Sequence, residues 1–318
     1  MHPGYFALIA LVVSGCAAAQ GFPSKPVRII VGFAPGGAAD TLARATTQKL
    51  AELLRQPVIV DNRPGAGGLN AGDQVAKSPA DGHTLLLSGI NHYMQPFFQN
   101  NVPYDPVKDF VPVVVLANLS NVLAVHPSLP ISSVRELVEY AKKNPGRLSY
   151  GTVGIGSLQH LGGVLLAQAA AIDLEHVPYK GGSPTINDVL SGVVPMAILS
   201  ATTVMPYARA GKLRALGVIH AQRSRSFPDI PMIGETLPGY GTPDQWLGIL
   251  GPAAMPAAVV ARLNDSFRRS IDEPEVLKRM EGLGFEPAGS TAEETAARVK
   301  WEHDVIRKAV SAAGIKPQ

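Results

Sequence analysis

Residues 33–40 read Phe33-Ala34-Pro35-Gly36-Gly37-Ala38-Ala39-Asp40. The paired glycines let backbone come close to a ligand. A helical pattern follows, so its free N–H groups and positive dipole end suit an anion such as a carboxylate. Asp40 falls in the first helical turn, placed to complement the dipole or hold a water. A tight turn with Asp40 as dipole partner accounts for the same residues, so the motif alone leaves both readings open.

The device recurs at residues 151–160, Gly151-Thr152-Val153-Gly154-Ile155-Gly156-Ser157-Leu158-Gln159-His160. Ser157 suits a helix cap and can also donate to a ligand oxygen. His160 lies at i+3 and can share its face, although a lone histidine is by default a structural one. A dinucleotide fingerprint fails because Gln159 stands where GxGxxG needs glycine. A hydrolase elbow fails because Ile155 stands two residues before Ser157. A third loop, Tyr179-Lys180-Gly181-Gly182, brings a cation that could face an anionic ligand or simply be solvated. Asn91 and His92 follow another apolar run and can both donate hydrogen bonds. Arg63 is read as a local partner of Asp61.

Catalytic signatures are missing. The eight histidines show no HxH or HExxH spacing, there is no P-loop, and no cofactor or metal site is expected. One cysteine excludes an internal disulfide framework. The 318 residues carry 28 Lys and Arg against 25 Asp and Glu, a balance too even to argue for nucleic acid.

Strand–loop–helix alternation positions these loops. Strands are expected at residues 25–33, 57–60, 84–88, 111–116 and 122–125. The pattern restarts with strands at 148–151, 176–179, 196–200 and 215–219, and a last strand at 245–251 rejoins the first half. Helices are expected at 38–55, 69–77, 132–144, 157–171, 183–191, 257–271, 274–283 and 291–313. Such alternation implies parallel sheets covered on both faces, and this length suggests two α/β lobes. Ligands then bind beyond the carboxyl ends of the strands. Two Gly-loop helix ends on two lobes suggest a clam-shell that closes on its ligand.

Tyr5 to Val13 is unbroken apolar sequence, too short to span a bilayer, and Ala17-Ala18-Ala19 supplies small residues for cleavage. Residues 1–19 are therefore read as a signal peptide. Val13-Ser14-Gly15-Cys16 competes as a lipoprotein box, with lipidation at Cys16. No later segment is expected to span a membrane.

The ordered set of Pro26–Asp40, Val60–Gly68, Leu148–His160, His176–Gly182, Ala210–Ala215 and Leu237–Gly239 resembles the substrate-binding proteins of tripartite tricarboxylate transporters, the Bug family. The resemblance runs from about Phe22 to Ile315. It implies a two-lobed periplasmic binding protein of the Venus-flytrap, type II-like kind, with the ligand cleft between lobes. Lobe 1 is expected at residues 22–122 plus 245–318 and lobe 2 at 123–244.

The same resemblance implies capture of a small organic acid by one carboxylate. The loop of Phe33, Ala34, Gly36, Gly37 and Asp40 would hold it, with Asn91 and His92. Gly156, Ser157 and His160 would clamp from the second lobe, joined by Tyr179, Lys180 and Ser200. At residues 194–200 the family often carries an acid, and this chain has none. That argues against an ammonium-bearing ligand. The implied partners are membrane transporter subunits or a sensor, and a periplasmic monomer without catalysis is expected. An exported enzyme using His160 or His92 as base, or a receptor for a membrane signalling protein, stands as the alternative.

Overall fold

A computed structural model describes residues 21–312 and 314–317. The expected signal peptide and Cys16 lie outside the described residues. The first half runs β1 (Val27–Val31), α1 (Ala38–Leu54), β2 (Val58–Asn62), a 3-10 turn at Ala66–Gly68, α2 (Leu69–Ala76), β3 (Thr84–Gly89), α3 (Ile90–Phe98) and β4 (Phe110–Leu119). The second sheet and its helices follow as β5 (Asn121–Val125), α4 (Val134–Lys143), β6 (Ser149–Thr152), α5 (Leu158–Ala170), β7 (Glu175–Pro178), α6 (Gly182–Leu190), β8 (Met196–Ser200), α7 (Ala201–Arg209), β9 (Arg214–Val218) and α8 (Ile233–Thr236). The chain returns through β10 (Gln245–Pro252), α9 (Ala257–Ile271), α10 (Pro274–Gly282), β11 (Glu286–Pro287) and α11 (Ala292–Ala312).

The first sheet has the order β11-β4-β10-β3-β1-β2 and the second β7-β6-β8-β5-β9. Neither is purely parallel, which corrects the expectation. β10 runs antiparallel to β3 and β4, and β5 antiparallel to β8 and β9. β10 enters its sheet directly from the other lobe, with no crossover helix to reverse it.

β4 and β5 meet at Ser120, one strand in each sheet. The expected boundary at 122/123 therefore cuts through β5. Asn91 and His92 also sit in a helix, not a loop, because α3 starts at Ile90 directly after β3. Residues 201–209 form α7, which the apolar pattern did not announce.

Local chemistry explains the elements. β1 is VRIIV, β-branched and buried at four of its five positions, as a central strand should be. α1 buries Leu42, Ala43, Ala45, Leu50 and Leu54 along one stripe. Apolar side chains from α1, α9 and α10 pack one face of the first sheet, and those from α2, α3 and α11 the other. Leu158 and Leu161 of α5 join that second cluster, so one apolar contact crosses between the lobes. The second sheet is covered by α4, α5 and α8 on one face and by α6 and α7 on the other. Among the described residues no helix is long and apolar enough to cross a membrane.

Candidate functional site

A cavity of about 40 Å³ lies between the two sheets. Its wall is built mainly from helix starts: Gly37, Ala38 and Ala39 at α1, Asn91 at α3, Gln159 at α5, Gly182 at α6, and Ser200 and Thr203 at α7. Phe33, Leu119, Val153, Gln245 and Leu247 complete it. Five helix N-termini thus meet at one cavity. Only α5 among them has a side-chain cap, from Ser157. The uncapped N–H groups and summed dipoles make the space electropositive. No described residue lining it is charged. The arrangement can accept an anion through backbone and dipoles, without arginine or lysine.

The lobes touch directly around this space. The Ala34 N–H donates to the Lys180 carbonyl at 2.9 Å, and Ser183 Oγ to the Pro35 carbonyl at 2.7 Å. The Leu158 N–H donates to Asn91 Oδ1 at 3.0 Å. Glycine is required here: a Cβ at Gly67 would stand 2.4 Å from the Ile155 carbonyl oxygen, and one at Gly181 2.8 Å from the Ala34 nitrogen.

Of the residues expected from sequence, the structure brings Phe33, Gly37, Asn91 and Ser200 to the cavity. Ser200 Oγ also lies 2.9 Å from both Thr202 Oγ1 and Thr203 Oγ1. Ala34 and Gly36 shape the loop behind it. Gly36, at φ 80°, gives its N–H to Asp40 Oδ2 at 2.9 Å. Asp40 is buried and is held by Arg44 Nε at 3.0 Å. Burial works to raise this carboxyl, but the hydrogen bonds from Arg44, the Gly36 N–H and Asn62 outweigh it and hold it below the usual range. Asp40 therefore braces the loop.

Others do not reach the cavity. His92 is buried in the first lobe among Tyr93, Tyr104 and Phe110, with ring centroids 4.4–5.1 Å away. Burial pushes its pKa down to about 3. Ser157 spends its hydroxyl locally, accepting from the His160 N–H and donating to the Gly154 carbonyl. His160 stacks on His176 at 3.9 Å and leans on Phe98 of the other lobe at 5.0 Å. Burial lowers it to about 4. Gly156, at φ 73°, packs against Gln95. Tyr179 turns its hydroxyl to Asp188 at 2.6 Å; burial first, then Asp188, raise it to about 12. Lys180 contributes its carbonyl, and the residue is exposed.

Sequence reasoning missed Gln159, Thr203 and Gln245 as lining residues. Gln159 sits second in a helix behind a glycine loop, a signal that was available. Gln245 and Leu247 carry none, because only the return of β10 through the first sheet brings them here. Among the described residues no group of His, Cys, Asp and Glu is placed to hold a metal ion.

Comparison with known proteins places this arrangement. Residues 42–311 match the tripartite tricarboxylate transporter family receptor. A protein of Pseudomonas sp. (strain P51), described as UPF0065 protein in the tcbD-tcbE intergenic region, is 40% identical over 91% of this chain and 86% of its own. BugT of Bordetella pertussis is 32% identical over 90% of each chain. Among solved structures, R. palustris Rpa4515 with adipate superposes with a TM-score of 0.89 at 33% identity, covering 93% of this chain and 100% of that one. MatC from Rhodopseudomonas palustris with bound malate gives 0.85 at 30% identity, covering 91% and 100%. The two sheets, the cavity between them and these likenesses agree, and the chain belongs to the tripartite tricarboxylate transporter receptor family, the Bug family of solute-binding proteins.

Proposed function

We propose that this chain captures a small organic acid outside the cytoplasm, in the periplasm, and presents it to a membrane transporter of the tripartite tricarboxylate kind. The observation that carries the reading is the convergence of five helix N-termini on a cavity whose lining has no charged side chain. Such a site neutralises a carboxylate with fixed dipoles and gives an ammonium no acidic partner. Adipate and malate in the two related structures fit the same chemistry.

Residues 22–119 with 245–317 act as one lobe and 121–244 as the other, hinged at Ser120 and near Asp244. Phe33, Gly37, Asn91 and Ser200 touch the acid, together with Gln159, Thr203 and Gln245. Export through residues 1–19, with or without lipid at Cys16, belongs to this reading. The catalytic alternative is weaker, because the two candidate bases lie away from the cavity, His92 in an aromatic core and His160 in a histidine stack. A sensor role would use the same closure and the same site.

The test is a thermal-shift and calorimetric screen of the purified mature protein against carboxylates, their amides and esters, sugars and phosphates. A ligand at 100 times its dissociation constant adds about 2.7 kcal/mol. That raises the melting temperature by roughly 5 °C or more at this size. Binding of carboxylates but not of their amides supports the reading. Binding of sugars or phosphates alone sinks it, and turnover of a bound acid would revive the enzyme.

A further inference from the structure

One peptide unit is gripped from both lobes. The Phe33 carbonyl accepts from Asn62 Nδ2 at 3.0 Å, and the Ala34 N–H of the same unit donates to the Lys180 carbonyl of the second lobe at 2.9 Å. The unit is trans, and a planar trans peptide points its carbonyl and its N–H in opposite directions. Holding the carbonyl therefore aims the N–H.

Asn62 is itself held in place. It ends β2, in register with Val31 of β1, and its Oδ1 accepts from Arg44 at 3.3 Å. Turning the amide over would set its oxygen against the Phe33 carbonyl and its NH2 against the guanidinium, so the side chain has one workable orientation. Arg44 is in turn paired with Asp40, which takes the Gly36 N–H. The first lobe thus offers a braced donor. The second lobe comes flush against it: a Cβ at Gly181 would stand 2.8 Å from the Ala34 nitrogen, and Ser183 Oγ donates to the next carbonyl, that of Pro35, at 2.7 Å. A donor that is already aimed needs less ordering when the lobes meet.

We infer that Asn62 is a positioning residue for closure: by holding the Phe33 carbonyl it aims the Ala34 N–H at Lys180 and so favours the closed form. The inference rests on the two hinged lobes of the reading above, and it assigns a role to a residue outside the cavity wall.

The experiment is amide hydrogen exchange, read by NMR, on the ligand-free mature protein and on Asn62→Ala and Asn62→Asp. The N–H groups of Ala34 and Leu158 bond across the lobes, to the Lys180 carbonyl and to Asn91 Oδ1, so both report closure. The Gly36 N–H, on Asp40, reports the loop alone, and fully buried Ile30 reports the first lobe's core. In the wild type, Ala34 and Leu158 should exchange together, faster than Ile30 and slower than free amides. In Asn62→Ala both should exchange about tenfold faster, the weight of one lost hydrogen bond, with Ile30 unchanged. Asn62→Asp keeps an acceptor for Arg44 but brings no donor to the Phe33 carbonyl, and should do the same; it decides the point if the alanine variant does not fold. Faster exchange at Ala34 and Gly36 with Leu158 unchanged means local support only and overturns the inference, as does an unchanged Ala34. Wild-type rates in Asn62→Asp overturn the role of the donated hydrogen bond. Free-amide rates at both reporters in the wild type overturn the inference and leave the hinged lobes standing. Rates there as slow as at Ile30 mean that the lobes do not open, and the hinged reading falls with the inference.

Discussion

The backbone N–H of Asn121 donates to Nε2 of buried His220 across 2.8 Å. On the other side of the ring, Nδ1 lies 2.8 Å from the Pro243 carbonyl. An Nε2 that accepts leaves the proton on Nδ1, so the imidazole is neutral and donates to Pro243. Asn121 begins the strand after the first passage between lobes, and Pro243 lies in the second. One neutral ring therefore joins the two passages, and burial lowers its affinity for a proton.

Replacing His220 with alanine leaves the Asn121 N–H and the Pro243 carbonyl without the ring. The expected loss is about 1–3 kcal/mol, the usual cost of an unsatisfied buried group. Urea unfolding of the two proteins measures it. An unchanged midpoint would show that the ring does not hold the two passages together.

Stability should fall as the solution is acidified. His160 and His176 are held to about 4 and about 3 by burial, against an ordinary value of 6.5, with His160 adding to the shift at His176. Below pH 6.5 the unfolded chain takes up protons that the native protein refuses, so native stability declines as pH drops from 6.5 toward 4. Replacing His176 with phenylalanine should flatten the decline of melting temperature across that range. An identical pH profile would remove the stacked pair from the account.

Gly67→Ala should act on closure. Gly67 has φ 63°, and a Cβ there meets the Ile155 carbonyl of the opposite lobe at 2.4 Å. The lobes must stay further apart, so ligand affinity should fall about tenfold or more. The unliganded protein should lose only about 1 kcal/mol, from an alanine at positive φ. Small-angle scattering and calorimetry together check this. Full affinity with an unchanged radius would mean that the contact does not limit closure.

Asp40 and Lys180 should separate cleanly. Asp40→Ala strands the Gly36 N–H and releases Arg44, so binding should weaken by about 1–3 kcal/mol as the loop loses its brace. Lys180→Ala keeps the carbonyl that receives the Ala34 N–H and should change affinity by less than about threefold. A large loss in Lys180→Ala would show that its ammonium reaches the ligand.

The glycine loops at Gly36-Gly37 and Gly181-Gly182 could be placed from the chain alone, because turn residues between a β-branched run and a helical stripe have few other uses. The same local rules placed Ser157 as a cap, which it is, with its hydroxyl on the His160 N–H. His92 shows their limit. Its type and position after β3 suggested a donor facing ligand, yet the start of α3 at Ile90 turns consecutive side chains through about 100°. Asn91 then meets the cavity, and His92 enters the aromatic core.

What the amino-acid order determined by itself is where most strands and helices and the glycine turns between them fall, since these follow from apolar period and turn chemistry within a few residues, whereas α3 and α7 begin directly after a strand and left no such signal. What only the tertiary structure decided is which of those turns face one another. Gln159 and Gln245, 86 positions apart in the numbering, meet because β10 reverses into the first sheet while α5 projects from the second. Their burial exists only in that packing, because in an extended chain water would reach both.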